Sequence, residues 1–164
     1  MAEDLIRKLM IAMALEAERL DLYIEKQRIF ARAMRNRDWQ ALQMARAVVE
    51  GISESIAAAE ADRAMAEADL RAELHCADEG LYRLALHVRE PLRTDLTDYY
   101  RKLKISAMRA RLETEMTEDY AAGKRELLGS VLEELFPEKK GRIYGRSGKA
   151  LQPESGALVL NTAF

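Results

Sequence analysis

The residues most capable of chemistry lie in one short stretch, which contains Glu73, His75, Cys76, Asp78 and Glu79. Imidazole, thiolate and carboxylate groups all bind zinc, but zinc sites use regularly spaced ligands, which this stretch lacks. Cys76 as a nucleophile would need a base, and adjacent residues of a helix do not face each other. We therefore interpret the cluster as a polar helix end and predict neither a metal site nor a catalytic residue.

Two further kinds of site are excluded by their context. A di-iron site in a helical bundle needs Glu-x-x-His on inward faces, but the residues three positions before the two histidines are Ala72 and Leu84. Gly145 and Gly148 are followed by Lys149, but no predicted strand precedes them, so a phosphate-binding loop is not indicated. We expect no enzyme activity and no cofactor.

Composition narrows the partners and the location. The basic residues around Tyr99 and Tyr100 lie on an amphipathic helix, and the net charge is only -2, so no nucleic acid is expected. No apolar run reaches the roughly 20 residues that a membrane span needs. Cys76 is the only cysteine, and acidic residues stand where a signal peptide would be basic. A cytoplasmic protein is therefore predicted.

The elements that would position any site are helices, because apolar residues recur at steps of three and four along most of the chain. The first helix is expected from about Glu3 to Met34, with the seam Ile6, Leu9, Met13, Glu16, Leu20, Tyr23, Gln27, Phe30 and Met34. The second begins near Asp38, with the seam Leu42, Ala45, Val49, Ile52, Ile56, Ala59, Arg63, Ala66 and Leu70. The third runs from about Thr94 to Pro137, with the seam Leu96, Tyr100, Leu103, Ala107, Ala110, Thr114, Thr117, Ala121, Lys124, Leu128, Val131 and Leu135.

These patterns predict an all-α fold in which three long antiparallel helices form a coiled-coil-like bundle. Asn36 or Asp38 can cap the second helix, which should bend or break near Asp78–Gly80 and stop before Pro91. Residues 1–137 would form the bundle. Residues 138–164 would form a flexible, glycine-rich docking tail, because glycine spacing disfavours a helix there and apolar residues could anchor it.

Polar residues interrupt the seams at Glu16, Gln27, Arg63, Thr114, Thr117 and Lys124. A buried charge without a partner costs several kcal/mol, so these residues either pair across helices or mark an open seam. Pairing, for example of Arg63 with Glu16, is the expected arrangement. An open seam would instead let the helices part and accept a guest helix.

Three segments together resemble a known family. They are Asp38–Leu42 leading to Ile56–Arg63, the helix end Leu127–Leu135, and Ile143–Lys149, in which Tyr144 and Gly148 form an aromatic-x-x-x-glycine step. The chain thereby resembles the FlgN-type flagellar export chaperones. An asparagine that the family often has in its last helix is missing from 113–120.

The resemblance implies a chaperone that binds the C-terminal helical segment of hook–filament junction proteins, prevents their premature assembly and delivers them to the export gate. By similarity, the client would contact Leu128, Val131, Leu132, Leu135 and Phe136. Tyr144 and Gly148 would contact the export-gate protein.

Two other interpretations stay open at this stage. A structural coiled-coil protein, such as an export-ATPase stalk or an oligomeric scaffold, would self-associate and would not need the tail. An enzyme or metal protein would carry stoichiometric metal when purified.

Overall fold

The computed structural model of the protein describes residues 2–76 and 80–135, and the backbone of 143–144 and 150–151. The described elements, in chain order, are α1 (Ala2–Asn36), α2 (Trp39–Leu74), α3 (Leu81–Leu86), α4 (Leu92–Leu135), β1 (Ile143–Tyr144) and β2 (Ala150–Leu151). The prediction of an all-α bundle with three long helices is confirmed. Most of the predicted flexible tail lies outside the described residues.

A tight turn makes α1 and α2 antiparallel neighbours. Arg37 adopts a left-handed backbone conformation with φ of 57°. Asp38 then caps α2 as predicted, because its Oδ1 accepts a hydrogen bond of 3.0 Å from the Ala41 N–H. Across the pair, Lys8 contacts Asp69 near one end and Glu16 contacts Arg63 farther along, as the antiparallel direction requires.

The first part of α4 packs on α1 in the parallel direction. The Ser106 hydroxyl donates to Asp21 Oδ1 at 2.8 Å, and Arg28 contacts Glu113 at 2.6 Å. The three long helices therefore alternate in direction, with α2 antiparallel to both of its neighbours. This is the up-down-up arrangement that short connections favour.

The core is deepest where the start of α1, the end of α2, α3 and the start of α4 meet. The largest fully buried side chains are Leu9, Met13, Leu70, Leu84 and Leu96. Along α2, the predicted seam matches the protected face, but from Leu42 to Arg63 its residues are only half-buried. The core is thus densest at one end of the bundle, and the seam of α2 is less protected toward the other end.

The helix is broken between α2 and α3, in the stretch where a bend or break was predicted, and α3 ends before Pro91 as predicted. α2 ends at Leu74, where His75 takes a left-handed conformation with φ of 55°. Leu81, Leu84 and Ala85 of the short α3 are buried in the core. The Arg93 guanidinium donates to the carbonyls of Leu86 and Val88, which satisfies groups left free at the end of α3.

Two details of the third predicted helix are corrected. α4 begins at Leu92 rather than at Thr94, whose hydroxyl donates instead to the Glu90 carboxylate at 2.9 Å. Ala107, predicted in the seam, is exposed, and its neighbour Ser106 is buried. The bond from Ser106 to Asp21 explains this shift, since it lets a polar residue occupy the contact with α1.

The chain divides into two compact units, Met1–Tyr120 and Ala121–Phe164. In the second unit, β1 and β2 pair antiparallel, with Ile143 opposite Leu151 and Tyr144 opposite Ala150. Across residues 2–76 and 80–135, no helix combines the length and apolarity that a membrane crossing requires.

Candidate functional site

The last part of α4, Ala121–Leu135, is here called the distal segment. Every residue of it is exposed. Five of these residues are large and aliphatic, with exposures between 41% and 66%: Leu127, Leu128, Val131, Leu132 and Leu135. So much exposed aliphatic surface on one short segment marks a candidate interaction site.

The five aliphatic residues share one side of the helix, which we call the distal face. Leu128, Val131 and Leu135 follow each other at steps of three and four, and Leu127 and Leu132 lie beside them. Glu126, Ser130 and Glu133 fall on the opposite side, where the Ser130 hydroxyl donates to the Glu126 carbonyl at 3.1 Å. The distal segment is therefore strongly amphipathic, although its apolar side is open to solvent.

The sequence-predicted client residues can now be placed. The structure brings Leu128, Val131, Leu132 and Leu135 together on the distal face, and Phe136 lies outside the described residues. Leu127, which was not among the predicted client residues, belongs to the same face. Its spacing of four residues from Val131 and eight from Leu135 was the available signal. The binding role of these residues stays a prediction.

The two residues predicted to contact the export gate are less fully described. Tyr144 belongs to β1, where its backbone pairs with Ala150. Gly148 lies outside the described residues.

The polar residues of the seams mostly have partners. Arg63 Nε donates to Glu16 Oε2 at 2.5 Å, as predicted, and a second Arg63 nitrogen donates to Glu67 Oε2 at 3.0 Å. Glu67 Oε1 also accepts from Arg71 at 2.6 Å. These four largely buried side chains carry two positive and two negative charges, so the seam between α1 and α2 is held together here rather than open.

In α4, the seam contains threonines whose hydroxyl groups form hydrogen bonds. Thr114 Oγ1 lies 3.0 Å from the Tyr23 hydroxyl and donates to the Ala110 carbonyl at 3.0 Å. Thr117 donates to the Glu113 carbonyl at 2.8 Å. Such bonds to the preceding turn let threonine sit in a buried seam without a cost for unsatisfied groups.

Of the polar stretch at the end of α2, the structure describes Glu73, His75 and Cys76, whereas Asp78 and Glu79 lie outside the described residues. The Cys76 thiol is buried and donates to the Leu74 carbonyl at 3.0 Å. Within 2–76 and 80–135, no three potential metal ligands come together.

Comparisons of the chain with known protein families, curated proteins and solved structures find no match.

Proposed function

We propose that this protein is a cytoplasmic flagellar type III export chaperone of the FlgN type. In this proposal the distal face binds the C-terminal helical segment of a hook–filament junction protein. The bound client is thereby kept from assembling too early and is delivered to the export gate.

One observation carries the proposal. The register that buries Leu96, Leu103 and Ala110 continues into the distal segment as Leu128, Val131 and Leu135, which are exposed. An amphipathic helix with an uncovered apolar side is suited to pair with another amphipathic helix. A client's terminal helix has the complementary property, because it must later pack against its neighbours in the filament.

The mechanism that follows is shielding by competition. When the apolar side of the client helix lies on the distal face, it is not available to other client molecules, so premature assembly is suppressed. The distal segment offers one helix side rather than a deep pocket, so binding should be moderate in strength and reversible. Reversibility is what a carrier needs when it gives up its client at the gate.

We assign delivery of the client to the export gate to the segment Ile143–Lys149. Tyr144 and Gly148 would contact the export-gate protein, separately from the client. The region from Glu138 onward supports an acidic gate surface as its partner, since it contains five basic residues and two acidic ones.

The test is a binding titration of purified hook–filament junction proteins against the full chain and against a Leu128→Glu/Leu132→Glu variant. Both positions are exposed and glutamate is a good helix former, so the fold should be retained. Affinity should fall by roughly 100-fold, because burying two leucines contributes about 3 kcal/mol.

A matched control places the same charge on a different exposed apolar residue. Met44 on α2 is 60% exposed, and Met44→Glu should leave client affinity unchanged. If the distal variant also binds with unchanged affinity, the client does not use the distal face and the proposal fails. The structural coiled-coil interpretation would then be the better one.

A further inference from the structure

The first part of α4 carries a second apolar line, on the side away from α1. Ile105, Met108, Leu112 and Met116 are between 43% and 65% exposed. They follow each other at steps of three and four, so they share one side of the helix. That side is opposite to the buried Leu103 and Ala110, and therefore contributes nothing to the core.

Charged residues continue this line at both ends. Arg101 precedes Ile105 by four positions, and Asp119 follows Met116 by three. The positions Arg101, Ile105, Met108, Leu112, Glu115 and Asp119 thus form a heptad seam, here called the outer seam. The basic residues of the outer seam and its borders lie before Leu112, and the acidic ones after it.

The present partners of these charges are local and exposed. Arg101 contacts Asp98 at 3.2 Å, and both side chains are more than half exposed. Arg111 donates to Glu115 at 2.7 Å, and this hydrogen bond and the charge of Glu115 raise the pKa of Arg111. Exposed pairs of this kind contribute little stability, so they can exchange partners readily.

The charge order makes the outer seam complementary to itself in one direction only. If two copies align antiparallel, Met108 of each copy meets Leu112 of the other, and Arg101 of each meets Asp119 of the other. Glu115 of each copy then faces Ile105 of the other, with Lys104 beside it to pair with the carboxylate. A parallel alignment in register would instead place Arg101 against Arg101 and Asp119 against Asp119, which is unfavourable.

We infer that the outer seam of α4 binds the outer seam of a second copy of this chain, as an antiparallel, two-fold symmetric helix pair. Two-fold symmetry requires that one surface match itself after rotation, which is the property the charge order provides. Met108 and Leu112 of the two copies supply the central apolar contact, and the two Arg101–Asp119 pairs fix the direction.

This self-association does not rest on the proposed chaperone function. It uses residues 101–119, whereas client binding uses the distal face, so either can fail without the other. Sedimentation velocity of the full chain across the micromolar range tests it. The wild-type chain should shift from monomer to dimer, and the shift should weaken as salt screens the exposed ion pairs.

Charge reversal decides the direction of pairing. Arg101→Glu and Asp119→Lys should each raise the dimer dissociation constant by about tenfold or more, because each variant faces two like-charge contacts. The double variant Arg101→Glu/Asp119→Lys should regain the wild-type constant, since reversed partners attract again. In a parallel pair the double variant would remain repulsive.

The matched control is Arg46→Glu/Glu50→Arg, which reverses an exposed ion pair on α2 and should leave the dimer unchanged. Three results would overturn the inference. They are a wild-type chain that stays monomeric, single reversals without effect, and a double reversal that fails to restore the dimer.

Discussion

The two parts of α4 share one apolar register and differ in whether it is covered. The proximal part ends at Tyr120, and its buried residues are Leu96, Leu103, Ser106, Ala110 and Thr117. In the distal segment the same spacing continues through Leu128, Val131 and Leu135, and all three are exposed. Helical periodicity therefore identifies the apolar side of a helix, but not whether other residues of the same chain cover that side.

The kinds of residue in the two parts sharpen this point. Toward its end the covered part uses small or polar residues. Ala110 has only a methyl group, the Ser106 hydroxyl donates to Asp21, and the Thr117 hydroxyl donates to the Glu113 carbonyl. The uncovered part uses leucine and valine. Exposed leucine and valine on one helix side make this segment a candidate interaction site.

The largest loss of stability is expected from a substitution in the proximal part of α4. Leu96 is fully buried, and Leu96→Ala should lower the free energy of unfolding by about 2 to 5 kcal/mol through lost burial and the cavity left behind. Chemical denaturation of the wild-type and variant chains measures it. A loss below about 1 kcal/mol would mean that the start of α4 does not belong to the core.

An intermediate loss of stability is expected from a substitution at the contact between α1 and the proximal part of α4. Tyr23→Phe removes the hydroxyl 3.0 Å from Thr114, but Thr114 keeps its bond to the Ala110 carbonyl. The cost should be about 0.5 to 1.5 kcal/mol, the usual net value of one hydrogen bond. Tyr99→Phe at an exposed position of α4 is the control. Equal stability of the two variants would show that the Tyr23 bond contributes nothing.

The smallest effect is expected in the distal segment. Leu128→Ala removes an exposed side chain, so the free energy of unfolding should change by no more than about 0.5 kcal/mol. The same denaturation measurement, compared with Leu96→Ala, tests whether the two parts differ as described. A destabilisation comparable to that of Leu96→Ala would show that the distal face is covered within the chain itself.

Much of the fold was predictable because local rules and packing agree. The seams of α1 and α2 match the protected faces, Asp38 caps α2, and Glu16 pairs with Arg63. Burying an unpaired charge in an apolar seam is unfavourable. An opposite charge at the facing position of the neighbouring helix was therefore a strong signal for an ion pair.

Other features depend on tertiary contacts that no local pattern encodes. A break near Gly80 was predicted, but the exact end of α2 at Leu74 was not, because the left-handed residue after it is His75 rather than the glycine that usually occupies this position. The capping of α3 by Arg93 joins residues that have no helical spacing rule between them. For the candidate site, the pattern predicted which residues share a side, but only the structure shows that this side is uncovered.

Gly123 and Gly129 give the distal segment a mechanical property of its own. A methyl group at either position would meet nothing within 4 Å, so packing does not demand glycine there. Each glycine weakens the helix by roughly 0.5 to 1 kcal/mol relative to alanine. The segment can therefore bend or unwind locally to follow the curvature of whatever lies against it. In the proposed complex, a rigid partner that straightened the segment would have to supply that ordering free energy, which would weaken binding.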